Sequence, residues 1–344
     1  MTHLYQLPTP PVIPLRKGIF SRFAARITYS VAMLMILSAL QVVPAHAVPK
    51  VVVSIAPVHS LMSEVMQGVG EPVLLIEGGQ SPHSSHLAPS ARREIANADL
   101  LIWLGASFET SLAKAFAQTY APSKVISLLT APAIHKLPIR TNGIWNAEHH
   151  HDEKEGSKEE EQASVEVPDP LMVLKSDPHV WLSTQNAIEI VSLLATEISR
   201  IDPDNADEYS LNRLQVIEKI NKLEQILRRD LKPVNHVPYL VFHDAYHYFE
   251  DEFGLSPAGA VTLNPERKPG AKTIRTIKNL IIERNVRCLF SEPQFEPGLL
   301  KRLAEDVGIK TGVLDPLGSN FRPGTGQWFS LMYAMRDDLR SCLD

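Results

Sequence analysis

From residue 50 onward, short apolar runs alternate with amphipathic stretches. The first four runs are KVVVSIAP (50–57), VLLIEGG (73–79), LLIWLG (100–105) and KVISLL (124–129). They are continuously apolar, which is typical of strands buried on both faces. The stretches between them have helical spacing, and Ser90 is the expected N-cap of the helix in APSARREIANAD. This alternation predicts a parallel sheet covered by helices.

The same pattern returns in the second half of the chain. Helical stretches at 184–200 and 204–231 come first, and the second would extend about 40 Å at 1.5 Å per residue. Strands are then predicted in PYLVFH, PAGAVTL, RCLFSEP and KTGVLDP, with helices near 245–253, 270–284, 296–307 and 327–342. The sequence therefore predicts an α/β protein with four strands before the long helix and about four after it.

The first 47 residues have the layout of a secretory signal peptide. Four basic residues and no acidic ones precede an apolar run, and Ala45-His46-Ala47 has the small residues of a cleavage site. A membrane anchor is the alternative, but the run is short for a bilayer span. No cysteine follows the run, so we expect a periplasmic protein without a lipid anchor, cleaved near Ala47-Val48.

The charge balance indicates the kind of ligand, and the two cysteines suggest a disulfide. Removing residues 1–47 takes four basic residues from a chain with 34 Lys and Arg and 39 Asp and Glu, which leaves a net charge of −9. An acidic balance argues against nucleic-acid binding and suits a protein that handles cations. In an exported chain, the pair Cys288 and Cys342 suggests a disulfide, with two buried free thiols as the alternative.

A long loop interrupts the strand–helix pattern between residues 131 and 178. Its middle reads EHHHDEKEGSKEEEQ, with His149, His150 and His151 beside many carboxylates. Such a segment is typical of a solvated, disordered insert. It also suits a weak accessory collector of cations, and the two interpretations are compatible.

Several histidines and carboxylates are predicted to meet at one edge of the sheets. Ligands of open parallel sheets bind beyond the carboxyl ends of the strands. His83, His179 and His243 all fall there, and so do Glu292 and Asp315. Imidazole nitrogens and carboxylate oxygens are ligands for zinc and similar divalent ions.

His243-Asp244-Ala245-Tyr246-His247 resembles the zinc-protease signature H-E-x-x-H, which requires both histidines on one helix. Here the β-rich run YLVF precedes His243, and Asp244 is one methylene shorter than the required glutamate. We therefore expect His243 to end a strand and the helix to start near Asp244 or Ala245. His247 would then be a first-turn helix residue with a structural or solvent-facing role.

At these residues the sequence resembles the solute-binding proteins of metal-uptake ABC importers, in particular the periplasmic zinc-binding members. The resemblance covers the whole mature chain and rests on GGQSPHSSHLAPS, NADLLIWLG, DPHVWLS, VFHDAYHYF, LNPERKPGA, FSEPQFEPG and LDPLG. It implies two Rossmann-like βα lobes with four-stranded parallel sheets, joined by a long rigid helix, with the metal in the cleft between them. The expected divisions are residues 48–203, 204–232 and 233–344.

The resemblance also implies the site. His83, His179 and His243 match the three histidine ligands, and Cys288 and Cys342 match the disulfide of zinc-specific members. Pro82 stands where some members carry a glutamate ligand, so the fourth ligand is water, Asp315 or a loop residue. His86 is either an extra ligand or a surface residue. Histidine at position 243 favours zinc, because manganese-type members have a carboxylate there.

The predicted function is therefore a periplasmic carrier that captures Zn²⁺ and delivers it to a membrane permease driven by a cytoplasmic ATPase. We expect a monomer with no enzymatic activity. The alternatives are a manganese or iron carrier of the same family, a zinc metallohydrolase with Glu292 or Asp315 as base, and, more weakly, a metal-dependent adhesin.

Overall fold

The structure is a computed structural model that describes residues 47–77, 79–83, 87–119, 125–140, 176–263, 265–266 and 269–344. Within these ranges the strands form two parallel four-stranded sheets. The first consists of β1 (Val51–Val53), β2 (Val73–Leu74), β3 (Leu100–Trp103) and β4 (Val125–Ser127), in the order β2-β1-β3-β4. The second consists of β5 (Tyr239–His243), β6 (Pro257–Thr262), β7 (Cys288–Ser291) and β8 (Lys310–Val313), in the order β6-β5-β7-β8.

Nine α-helices are defined in the described part of the chain. They are α1 (Ala56–Val65), α2 (Pro89–Ala96), α3 (Thr110–Thr119), α4 (Thr184–Ile201), α5 (Ala206–Leu231), α6 (His247–Phe253), α7 (Ala271–Glu283), α8 (Gly298–Val307) and α9 (Gln327–Leu343). The predicted fold class, strand–helix alternation and long central helix are confirmed.

Local boundaries differ from the predictions in three places. Helix α2 begins at Pro89 with Ala88 as its N-cap, so the prediction of Ser90 was wrong; proline at the first helical position has a preset φ and no N–H to satisfy. Strands β1 and β2 are both shorter than the apolar runs, and β1 is short because α1 begins at Ala56. Helix α6 begins at His247, later than predicted, because the Ala245 amide turns back to bond the His243 carbonyl.

Helices from both halves share one core. Helix α9 packs on α1 as well as on α5 and β8, and α5 packs along α4 and α1. The buried carboxylate of Glu64 joins three of these elements, since it accepts from Gly326 N at 2.9 Å and from Lys219 Nζ at 3.0 Å. The division of the chain at residues 203 and 232 stays a prediction.

The ends of the predicted long loop are anchored where they are described. Pro138 and Ser176 form an antiparallel bridge, and Asp177 N donates to Leu137 O at 2.8 Å. Tyr248 on α6 holds both sides, because its hydroxyl contacts Leu137 N at 3.0 Å and Asp177 O at 2.8 Å. The two described ends of the loop, up to residue 140 and from residue 176, are thus joined to each other and to α6. Residues 141–175, with His149, His150 and His151, lie outside the described residues.

Candidate metal centre

Three histidines from distant parts of the chain meet in one small cavity. His83 follows β2, His179 precedes the short 3₁₀ turn Val180–Leu182, and His243 is the last residue of β5. Each offers a ring nitrogen within 4.8 Å of the other two. The cavity has a volume of about 20 Å³, room for one or two water-sized species. It therefore suits a single ion rather than an organic solute.

His179 is held by a buried carboxylate on its own segment. Asp177 Oδ1 lies 2.7 Å from His179 Nδ1 and accepts the His179 backbone N–H at 2.9 Å. Burial alone would raise the pKa of Asp177, but its contacts with His179 outweigh burial and lower it. The ionised Asp177 thus fixes the ring orientation and leaves Nε2 for the cavity.

His243 has an equivalent partner from the neighbouring strand. Glu292, directly after β7, places Oε1 2.6 Å from His243 Nδ1. Nε2 of His243 is buried and has no hydrogen-bond partner among the described residues. Burial alone would lower the pKa of His243, but the Glu292 carboxylate outweighs it and raises the pKa. A metal ion at Nε2 would therefore compete with a proton as the pH falls.

His83 is positioned by an aromatic contact instead. Its ring lies edge-on to Phe108, with centroids 4.6 Å apart. Burial, followed by the neighbouring rings of His243 and His179, lowers the pKa of His83 to about 2. This imidazole is therefore neutral near pH 7, which is the state that binds metal.

The donor set fits zinc. Three imidazole nitrogens match the nitrogen ligands that zinc prefers, and they leave one position of a tetrahedral shell. Carboxylates behind two of the rings are the usual support of metal-binding histidines.

Asp315, the tentative fourth ligand, lies outside the group of close ligand atoms. Its carboxylate accepts from Ser319 N and Ser319 Oγ, both at 2.6 Å, from Leu317 N at 3.0 Å and from Gln294 Nε2 at 2.7 Å. Its loop and Gln294 therefore engage both oxygens in this geometry, and a role for Asp315 as the fourth ligand stays a prediction.

The other predicted residues that the structure describes have roles outside the group of three histidines. The position of His243 at the end of β5 excludes the protease signature, since the two histidines do not share a helix. His247 begins α6, and its Nδ1 lies 3.7 Å from Asp177 Oδ2 rather than in the histidine group. Cys288 and Cys342 are joined by a disulfide. His86 lies outside the described residues, like the three loop histidines.

Four supporting residues were not predicted from the sequence: Asp177, Phe108, Gln294 and Arg140. Asp177 had a readable signal, because an acidic residue two positions before a candidate ligand histidine is a natural partner for its ring. The sequence around Arg140 carries no such signal, because its partners Asp244 and Glu250 lie more than 100 positions further along the chain.

Arg140 forms a buried ionic cluster behind the site. Its guanidinium donates to Asp244, the residue after His243, with Nε at 3.0 Å from Oδ2. It also lies 2.7 Å from Glu250 Oε2, while Tyr239 donates to the other oxygen of Glu250 at 3.0 Å. Burial raises the pKa of Glu250, and Arg140 opposes that rise. The cluster ties the start of the long insert to β5 and α6.

We expect Arg140→Ala to lower the free energy of unfolding of the metal-free protein by about 2 kcal/mol. The change leaves two largely buried carboxylates without their cation, and the remaining solvent access reduces the cost from that of a fully buried pair. Urea denaturation would measure the loss.

Lys222→Ala is the matched control. It removes the same charge from a pair with Glu218 that is 68% exposed on both sides, and we expect no more than about 0.5 kcal/mol. Equal losses for the two variants would show that the Arg140 cluster contributes no special stability.

In the part of the chain that the structure describes, none of the helices is both long and apolar enough to cross a bilayer.

Comparison with known proteins gives a consistent result. The family model "Zinc-uptake complex component A periplasmic" matches residues 51–342. The high-affinity zinc uptake system protein ZnuA of Brucella abortus is 38% identical over 304 residues, covering 85% of this chain and 91% of the relative. The protein of the same name from Yersinia pestis is 32% identical over 298 residues, with the same coverage.

Solved structures agree on the fold. A crystal structure of ZnuA superposes with a TM-score of 0.70 at 22% identity and covers 87% of this chain and all of its own. The periplasmic zinc-binding protein TroA of Treponema pallidum also gives 0.70, at 17% identity, covering 86% and 99%. With the family model matched over nearly the whole described length, the chain belongs to the family of periplasmic A components of zinc-uptake complexes.

Proposed function

We propose that this protein is the zinc-binding component of a periplasmic ABC import system, and that it captures Zn²⁺ through His83, His179 and His243. The observation that carries the proposal is the meeting of three imidazoles within 4.8 Å in one small cavity, with carboxylates orienting two of them. A membrane permease with a cytoplasmic ATPase is the partner that receives the ion. The same proposal includes export directed by residues 1–47, cleavage near Ala47 and action as a monomer.

Zinc is favoured over manganese by the donor atoms. Manganese prefers oxygen-rich sites, whereas this group offers three nitrogens. The carboxylates of Asp177, Glu292 and Asp315 each form hydrogen bonds within the protein, Asp177 with His179, Glu292 with His243 and Asp315 with its loop and Gln294. The experiment is the metal content of protein purified from its native periplasm, followed by competition between the two ions. Manganese as the principal native metal would contradict the zinc assignment.

A binding function is favoured over hydrolysis for a related reason. A zinc hydrolase needs a general base beside the metal-bound water. Glu292 holds the ring and the backbone N–H of His243 through Oε1, and Asp315 lies outside the metal group. We propose that the protein has no enzymatic activity. Hydrolysis of esters or peptides by the zinc-loaded protein, lost on His243→Ala, would overturn this.

The His-rich insert is proposed as a weak accessory site. We expect deletion of residues 148–162 to leave one tight zinc site and to abolish weaker additional binding. The three adjacent histidines can form a fixed site only if the chain around them is ordered, at about 1–2 kcal/mol per residue. Weak binding should fade below about pH 6, where histidines take up protons.

Calorimetric titration of the intact and deleted proteins above and below that pH would test the proposal. Loss of the tight site on deletion would show instead that the insert supplies a primary ligand.

A further inference from the structure

The amide of Gln294 has an acceptor atom that the fold leaves without a partner. Gln294 follows β7 and lines the cavity that holds the three histidines. Its Nε2 donates to Asp315 Oδ1 at 2.7 Å. Its Oε1 is buried and has no hydrogen-bond partner among the residues described. A buried carbonyl oxygen without a hydrogen-bond donor destabilises the folded state, so we expect this atom to accept a hydrogen bond in the functioning protein.

The orientation of this amide is fixed chemically. An ionised carboxylate only accepts hydrogen bonds, so the NH₂ end of Gln294 must face Asp315. Asp315 is itself held by Ser319 and Leu317. A flip of the amide would place Gln294 Oε1 against Asp315 Oδ1, and two acceptor oxygens would then face each other. Gln294 lines the cavity and Asp315 does not, so Oε1, at the end of the amide opposite to Asp315, is the atom left to accept from a donor in the cavity.

We propose that Gln294 positions the fourth ligand of the metal, with Oε1 accepting a hydrogen bond from a water molecule bound to zinc. The inference rests on the proposed function, because it assumes that the three histidines hold zinc. They leave one tetrahedral position, and a water bound to zinc is a strengthened donor. Zinc takes nitrogen, sulfur and carboxylate ligands, so a neutral amide oxygen contacts the water rather than the ion.

Glu292 lines the same cavity, and its Oε2 is also buried without a hydrogen-bond partner among the described residues. Its Oε1 is held by the ring and the backbone N–H of His243. Glu292 Oε2 is therefore the rival acceptor for the same water, and wild-type affinity in Gln294→Met would favour it over Gln294. Trp181, another lining residue with a polar atom, donates its Nε1 to Pro316 O at 2.8 Å. Asp315 thus contributes to the site indirectly, by holding Gln294 rather than by binding the ion.

Replacement of Gln294 by methionine tests the inference, because methionine keeps the length of the side chain and removes the acceptor. We expect Gln294→Met to bind zinc five- to tenfold more weakly, equivalent to roughly 1 to 1.4 kcal/mol. The melting temperature of the metal-free protein should be unchanged, because the variant loses one hydrogen bond and also removes a buried unpaired oxygen. A merely structural role would lower the melting temperature instead.

Asp315→Asn is the second variant. The asparagine amide can donate to Gln294, which allows the Gln294 amide to flip and turn its NH₂ group to the cavity. We expect a loss of zinc affinity similar to that of Gln294→Met, and little further loss in the double variant, since both changes remove one interaction. Additive losses would show that the two residues act separately.

A crystal structure of the zinc-loaded protein gives the direct readout. The expected result is a water on zinc within about 3.2 Å of Gln294 Oε1. A protein side chain in the fourth position, or wild-type affinity in Gln294→Met, would overturn the inference. If the histidine variants lose zinc while Gln294→Met does not, only this inference fails. If the histidine variants retain zinc, the proposed function itself fails.

Discussion

Replacing His243 by alanine is expected to weaken zinc binding about a hundredfold, or about 2.8 kcal/mol. The change removes one of three nitrogen ligands and leaves the Glu292 carboxylate buried beside the site without its partner. Alanine at His83 or His179 should cost at least tenfold, because each of these residues also supplies one ligand atom. Titration against a chromophoric chelator at constant pH would measure the affinities.

His247→Ala is the matched control for this experiment. It removes an imidazole four residues from His243, but that ring begins α6 and faces Asp177 at 3.7 Å instead of the other three rings. We expect its zinc affinity to stay within threefold of wild type, roughly 0.7 kcal/mol. His243→Asn is a second variant that keeps a polar group beside Glu292 if the alanine protein is unstable. Wild-type affinity in both His243 variants would contradict the site.

His83 and His243 were predictable from a local rule, because each comes after a strand, whereas His179 has no strand directly before it and was identified from the motif DPHVWLS. A continuous apolar run ended by a histidine, as in YLVFH, indicates a polar group at the carboxyl edge of a buried strand. The same rule selected Asp315, yet the fold places it outside the metal group. Its carboxylate accepts hydrogen bonds from the backbone N–H and the hydroxyl of Ser319, four residues later in the chain. The pattern of apolar residues carries no information about such local hydrogen bonds.

The supporting contacts were beyond prediction for a different reason. Arg140 meets Asp244 and Glu250 only after the segment that follows the first sheet packs on the second. Gln294 meets Asp315 because the two residues follow β7 and β8, which become neighbours only when the second sheet forms. Neither pair has a characteristic spacing in the sequence. Element boundaries failed for local reasons, as at Pro89, where a preset proline φ started α2 before the expected serine cap.

Loss of the disulfide should have the largest effect on stability. Cys288 opens β7 and Cys342 lies in the last turn of α9, with Cα atoms 6.0 Å apart and 54 positions between them in sequence. In the chain-entropy model, a closed loop of this length restricts the unfolded chain by about 4 kcal/mol. The double replacement of both cysteines by alanine is therefore expected to lower the free energy of unfolding by about that amount.

Urea denaturation with and without reductant tests this directly. The wild-type protein should lose stability on reduction, whereas the double variant should be insensitive to reductant, which separates the disulfide from any general effect of the reagent. The loop closed by the bond contains Glu292 and Gln294, but neither cysteine lines the cavity, so zinc affinity of the folded double variant should stay near wild type. Two free thiols in denatured, unreduced protein would show that the exported chain does not form the bond. Equal stability of oxidised and reduced protein would show instead that helix α9, already packed on α1 and α5, holds the C-terminal region in place without it.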